Sequence, residues 1–383
     1  MAYYFIFPEK DATIYSHPDR TKMNTGHDEI LEIVKEKGIS DSIYYPSRIL
    51  VKFKNEEIKT TISEKIGSAK FNDGTSKVSL QLLSSEHKNL TTTLNLDVFA
   101  VSQSWDEGTG RYSNLPTSSN GCSWLFRDNT TTSTEWTTAS FGDGSSGSIN
   151  ASGITEGGGV WYTGSGFNGS QQFLQGDSLD TNIDVTTIVQ KHSASLFANS
   201  TYPTGINNHG FIIKQPDAIE TDTSSSFGEM QYFSVDTHTV YPPRLVFKWD
   251  DSSHNKQSLA INKGELSVSL YRNEETYNQN DEALFRIHVR DKYPVRQFAS
   301  SSNFLNVGYF TTESYYSIRD AHTEQEIIPF DNCTKMSADN EGMYFKIYMK
   351  GLQPERYYRV LFKHKNNDGT TIYDDDYYFK IVR

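Results

Sequence analysis

Cysteine is almost absent: Cys122 and Cys333 are the only two in 383 residues, and they stand far apart. A disulfide framework is excluded, and two isolated thiols make no metal site, so both are expected to be free. Long apolar runs are missing too. Nothing approaches the roughly 18 consecutive apolar residues of a membrane helix. The first residues, MAYYFIFPEKDATIY, carry five apolar or aromatic side chains (Tyr3 to Phe7) before Pro8, Glu9 and Lys10. A cleaved signal needs a basic start and an apolar stretch of about 7–15 residues. The expectation is therefore a protein made in the cytosol, or one exported without a cleaved signal.

Basic residues are outnumbered, 36 Lys and Arg against 48 Asp and Glu, for a net charge of −12. Phosphate backbones are held mainly by Lys and Arg, so nucleic acid is not an expected partner, and neither is an anionic membrane surface.

Catalytic motifs are also missing. There is no Gly-x-Ser-x-Gly elbow and no glycine-rich phosphate loop ending in Lys-Ser or Lys-Thr. Gly157-Gly158-Gly159 runs into Val160 and Trp161, which reads as a loop. The ten histidines (17, 27, 87, 192, 209, 238, 254, 288, 322 and 364) show no His-x-x-x-His or His-x-His spacing. The densest acidic run, Asp374-Asp375-Asp376, lies between Tyr373 and Tyr377 and reads as a solvated turn opening the last strand. Calcium needs several oxygens, usually on one loop. The segment Phe141-Gly-Asp143-Gly has too few acids, and Asp11 or Glu29 are the first residues to consider for such a site. No period of 20–50 residues suggests a β-helix. The chain is thus expected to be non-catalytic and without cofactor, its metal ligands, if any, left open.

What is abundant is aromatic and hydroxyl-bearing. Tyr (23) and Phe (22) bring the aromatic share to 13%, which with Ser, Thr, Asn and Gly suits half-buried strands joined by polar turns. Strand-like runs recur at Ala12–Tyr15, Glu29–Val34, Arg48–Lys54, Lys77–Leu83, Leu94–Gln103, Gly210–Lys214, Gln231–Val235 and Arg244–Trp249. Arg48–Lys54 alternates only in its second half, which predicts one buried face and one wet face. A short amphipathic helix or turn is predicted over Asn55–Ile66 and a short helix over Ile183–Gln190, the latter capped by Asp184. Between Thr109 and Ser178 the composition shifts to Ser, Thr, Gly and Asn. Its aromatics Trp124, Phe126, Trp136, Phe141, Trp161, Tyr162 and Phe167 are expected to pack a small core rather than to contact a ligand.

After a polar connector, Asp250–Lys263, strands restart at Glu265–Tyr271, Ala283–Arg290, Leu305–Phe310, Tyr315–Arg319, Met343–Lys350, Tyr357–Lys363 and Tyr373–Val382. Seven strands in about 120 residues fit the size of an immunoglobulin-like sandwich. The expected fold class is all-β: a jelly-roll-like sandwich with long loops over 1–250, a linker over 251–263, and an immunoglobulin-like sandwich over 264–383. Leu50, Val51, Phe53, Phe99, Phe211, Ile213, Leu245 and Phe247 are the expected core of the first part.

Seven fragments, in order, resemble the DNRLRE-type domain, a β-sandwich grouped with carbohydrate-binding modules in bacterial surface proteins. Lys10–Tyr15 (KDATIY) resembles its opening D-A-x-V/I strand, and Asn24–Ile33 (NTGHDEILEI) its N-x-G strand. Ser47–Phe53 (SRILVKF) resembles S-R-x-L-L-x-F, and Ser104–Glu107 (SWDE) resembles W-x-E. Ile183–Val189 (IDVTTIV) resembles D-V-T-x-x-V, Asn208–Lys214 (NHGFIIK) resembles N-x-G-F-x-L-K, and Pro243–Phe247 (PRLVF) resembles the closing strand. The stretch from Trp105 to Ile183 is longer than in that family, which implies enlarged loops on one edge. No sugar- or cation-binding residue is carried over.

Such modules sit in surface chains, yet this one opens directly on a strand. The combination resembles a structural protein of a phage particle, and the Tyr-rich C-terminal part resembles proteins of phage tails and baseplates. The expectation is a virion component, synthesised in the host cytoplasm, that associates with itself and with other virion proteins, with glycan contact open. The alternative is a carbohydrate-binding module or adhesin with an aromatic platform within Thr109–Phe173.

Overall fold

A computed structural model describes residues 2–113, 120–137, 154–197, 205–294 and 307–383, with the backbone of 145–146. The fold is all-β, built from antiparallel sheets with few helices. Contacts gather into two compact units, Ile6–Val246 and Phe247–Arg383 together with Met1–Phe5.

The N-terminal unit is organised on a sheet ordered Asn168–Leu174, Thr93–Ala100, Phe211–Lys214, Tyr44–Phe53, Pro8–Tyr15, with Lys35–Lys37 also on Tyr44–Phe53. Phe211 lies opposite Val51 and Ile213 opposite Ile49, while Ala12 lies opposite Leu50. A second sheet places Glu229–Phe233 between Ile30–Ile33 and Ser84–Lys88. Period-2 patterning decides which faces are covered. In Thr93–Ala100 the residues Leu94, Leu96, Val98 and Ala100 are buried, which turns Phe99 to the other face, where it is only half-buried. Of the eight expected core residues, Phe99 is the exception.

Arg48–Lys54 differs from its expectation. From Tyr45 to Val51 every residue is buried, so both faces of this central strand are covered. The cover comes from the serine- and glycine-rich stretch, whose Trp124, Trp136 and Trp161 join Ala12, Leu50 and Ile212 in one cluster. Phe141 and Asp143 lie outside the described residues. The helix Asn55–Thr60 continues as a wider π turn to Ile66, and its Ile58 and Ile62 are buried. The second helix runs Thr186–Leu196, and its N-cap position is Val185 rather than Asp184. Asp184 still accepts the Thr186 N–H, at 2.9 Å.

In the other unit one sheet is ordered Leu266–Arg272, Glu282–Asp291, Gly342–Tyr348, Ser337–Asp339. The second is ordered Thr276–Asn278, Gly369–Val382, Tyr357–Asn366, Ser314–Asp320, Glu326–Ile328. Phe345 of the first sheet stacks on Tyr316 of the second (4.4 Å) and on its own neighbour Phe285 (5.2 Å). Of the expected strand Leu305–Phe310, residues 305–306 lie outside the described residues, and Gly308 and Tyr309 form isolated bridges. The polar segment Asp250–Lys263 is held to this unit. Its Ser253 carbonyl accepts from Ala338, and the Ile261 N–H donates to Tyr309. The division between the units therefore falls earlier, within the strand Arg244–Trp249.

Candidate functional site

Two groups of buried polar side chains in the N-terminal unit draw on residues of the motif fragments and on partners outside them. The first is cationic at its centre. Arg48, on the central strand, donates from Nη2 to Glu220 Oε2 at 2.7 Å, from Nε to both Glu220 oxygens at 3.2 Å, and from Nη1 to the Gly158 carbonyl at 2.7 Å. Its guanidinium lies between the rings of Trp124 (4.6 Å) and Trp161 (5.0 Å). Lys214 reaches Glu220 at 3.1 Å, Asp217 at 2.7 Å and the Gln215 carbonyl at 2.8 Å. Arg48 and Lys214 are wholly buried, and Glu220 nearly so.

Buried charges survive only when paired and hydrogen-bonded. Here two cations face Glu220 and the partly exposed Asp217, so the centre is close to neutral. The Gly158 backbone, at φ +81, approaches so closely that a Cβ would sit 2.6 Å from Arg48 Nη1. With Arg48 and Lys214 wholly buried and paired, this group ties a strand, a loop and a short helix together.

The second group is anionic. Asp11, on the first strand of the large sheet, is 1% exposed. Its Oδ2 accepts the Val235 N–H at 2.7 Å, and its own N–H donates to Glu107 Oε1 at 3.0 Å. Its Oδ1 has no hydrogen-bond partner. Asn24 locks the neighbouring turns. Its Nδ2 donates to the Glu107 carbonyl (2.6 Å) and the Cys122 carbonyl (2.8 Å), and its Oδ1 accepts from Gly26 (3.2 Å) and Gly110 (2.7 Å). At Gly26 a side chain is impossible, since a Cβ would lie 2.1 Å from the Glu107 carbonyl oxygen. Lys10 caps the corner by donating to the Trp105 carbonyl while lying 4.3 Å over the Trp105 ring.

Burial raises the Asp11 carboxyl well above its ordinary range, and the nearby charges of Glu107 and Asp236 raise it further. Burial also pushes Glu107 up to about 7, against the opposing effect of its bond from Asp11. Such shifts arise where carboxylates are desolvated beside like charge.

Asp11 was a candidate in the sequence, and the structure brings it together with Asn24, Trp105 and Glu107, which lie in the other quoted fragments without having been singled out. Glu29 is brought elsewhere, 3.6 Å from His238 on the surface. Lys214 belongs to a matched fragment, but its partner Glu220 gave no sequence signal, being one of three acids (Asp217, Glu220 and Asp222) in a polar stretch. Among the described residues no three His, Cys, Asp or Glu side chains converge as a ready metal cluster. Asp374 pairs with Arg359, so the acidic run is partly neutralised by the adjacent strand. Cys122 is buried and Cys333 half-buried, both free, with the Cys333 thiol pushed up to about 11 by burial and by Asp331. Trp124, Trp136, Trp161, Tyr162 and Phe167 are all core side chains. Compared with known proteins, the chain matches no family model and no curated protein.

Proposed function

We propose that this chain is a non-catalytic structural component of a phage virion, working at the particle surface (tail, baseplate or neck) by joining neighbouring protein copies. The observation that supports the reading is an open strand edge in the C-terminal unit. On its outer side the strand Gly369–Val382 pairs only through Lys380–Val382, with Thr276–Asn278. The Tyr378 carbonyl takes a side-chain bond from Asn273. From Gly369 to Tyr377 no strand among the described residues pairs on that side.

An unpaired edge is a template for another chain, and free edges are normally shortened, charged or bulged. Here the edge is long, Ile372 is 54% exposed, and Tyr357 and Tyr378 stand nearby on the surface. Asp374, Asp375 and Asp376, with Asp376 at φ +55 and a register shift near Val360, restrict which chain can add. Aromatic, Tyr-rich surface is the usual stuff of assembly interfaces. The jelly-roll and immunoglobulin-like resemblances and the acidic charge fit the same reading. The adhesin alternative needs an aromatic platform in the Thr109–Phe173 stretch, where the described aromatics are instead mostly core side chains.

Mass spectrometry of purified particles from the source tests this. The protein should be present in multiples set by particle symmetry, because symmetric assemblies reuse one patch on every copy. Absence from particles, or recovery on a bacterial cell wall, would overturn the assignment.

A further inference from the structure

The open edge of the strand Gly369–Val382 has a defined length and a defined set of free backbone groups. Lys365 turns its N–H away from this strand, to the Glu313 carbonyl. Bonded and non-bonded residue pairs alternate along an antiparallel ladder. Thr371, opposite His364, therefore bonds inward, while Thr370 and Ile372, opposite Lys365 and Lys363, turn N–H and C=O outward. No strand among the described residues takes these groups. The regular edge stops at the turn before Gly369 and at the bulge after Tyr373, where Tyr373 and Tyr377 stand opposite Phe362 and Val360. Beside it lies a groove of about 440 Å³, walled on its far side by Glu265, Leu266 and Lys292. A Cβ on Gly369 would meet nothing within 4 Å.

We propose that this edge pairs with the same edge of a second copy of the chain, antiparallel about a twofold axis at Thr371. This pairing rests on the reading of the open edge as an assembly surface, and it names the partner. Thr370 and the partner's Ile372 exchange both main-chain bonds, and the twofold repeats them, so every outward group of the regular edge is satisfied. Thr371 meets its own copy, and Ile372 meets the partner's Thr370, which are β-branched cross-strand pairs. Tyr373 comes against the partner's Gly369, where there is open space for an aromatic beside an edge glycine. A shift of two residues either way would set Thr370 against the bulged Asp374, or Ile372 against Asp368 in the turn. The acids stay outside the paired segment, and Asp374, which then faces the partner's Asp368, is already bonded to Arg359. A strand of another protein would have to match both stops, whereas the same edge matches them by symmetry.

The test is Thr371→Cys in the full chain. A non-bonded antiparallel pair has Cα atoms about 4.5 Å apart, inside the range that a disulfide spans. Mild oxidation should give a covalent dimer on a non-reducing gel. Ile39→Cys, at an 87% exposed position of the other unit, and the wild type, with its free Cys122 and Cys333, should stay monomeric on the same gel. Sedimentation of the wild type should show a monomer–dimer equilibrium, followed up to about 0.5 mM because small interfaces are weak. Ile372→Pro removes an outward donor and no bond to Tyr357–Asn366, so it should abolish the dimer and leave Tm unchanged. If Ile372→Pro does not fold, Ile372→Lys replaces it, since an edge lysine blocks strand addition. A wild type monomeric throughout, a Thr371→Cys chain that does not cross-link, or a dimer that survives the Ile372 change would each overturn the pairing. None of these results touches the presence of the chain in particles, which mass spectrometry decides separately.

Discussion

His192 sits on the helix Thr186–Leu196, fully buried, its ring edge-on to Phe211 at 5.6 Å, with neither nitrogen hydrogen-bonded. Burial, with a smaller push from His209, lowers its pKa to about 3. His364 is lowered to about 4 by burial, and its Nε2 accepts the Thr311 N–H, which assigns its proton to Nδ1. Both are neutral in the folded chain, while in the unfolded chain they take up protons near pH 6.5. The folded pKa is depressed, so the unfolded state binds more protons as pH falls from about 6.5 towards 4, and stability drops. The slope is about 1.4 kcal/mol per pH unit for each histidine. Glu107 acts in the opposite direction, because its raised pKa makes the folded state gain stability as pH falls from about 7 to 4.5. The histidine contribution is therefore read as a difference. His192→Leu should be less acid-sensitive than wild type by about 2 kcal/mol at pH 5, measured by urea unfolding at pH 7, 6 and 5. Equal pH profiles would show that water reaches the imidazole.

At the scale of elements, the ion network ranks strands that composition alone treats alike. Glu220 is the one nearly buried acid facing both Arg48 and Lys214. Removing one partner of a buried pair costs about 3–5 kcal/mol, whereas replacing the whole set with apolar side chains is often neutral. Glu220→Gln should therefore destabilise the N-terminal unit by about 3–5 kcal/mol in denaturant melts. The triple variant Arg48→Met, Lys214→Met, Glu220→Leu should recover most of that loss. Strand identity was legible wherever apolar residues alternate or run together, as in Phe211–Lys214 and Arg244–Trp249. It was not legible in Asn168–Leu174 (NGSQQFL), which becomes a strand because its backbone pairs residue for residue with Thr93 to Phe99. Nor was the covering of Tyr45–Val51 on both faces, since Trp124 and Trp161 arrive from a stretch with loop composition. Of the anionic corner, only Asp11 stood out as a candidate, while Asn24 and Glu107 lay unremarked inside other quoted fragments. Their meeting depends on tertiary contacts that no local spacing encodes.

Across the whole chain, the least local feature is the strand Ala2–Ile6. Its apolar residues are plain in the sequence, but not where they go. Ala2–Phe5 belongs with the C-terminal unit, more than 240 residues away along the chain. The Tyr3 hydroxyl donates to Asp331, the Tyr4 ring meets Tyr348 edge-on at 5.8 Å, and Phe5 backs Gly351 so closely that a Cβ there would lie 2.8 Å from its nitrogen. Trp249 packs on the same Tyr348 at 5.8 Å. A fragment starting at residue 264 therefore lacks both Tyr4 and Trp249 and leaves Tyr348 exposed. Tyr4 and Phe5 are 5% and 3% exposed, and full burial of such rings contributes about 1.5–3 kcal/mol each. Deleting residues 1–5 from the full chain should therefore cost the C-terminal unit about 3–6 kcal/mol. Hydrogen exchange would show the loss as faster exchange in Gly342–Tyr348 and around Asp331, while Tyr44–Phe53 keeps its protection. Unchanged exchange at Gly342–Tyr348 would mean that the first strand is an ornament on a unit already complete without it, and that the domain begins at Phe247.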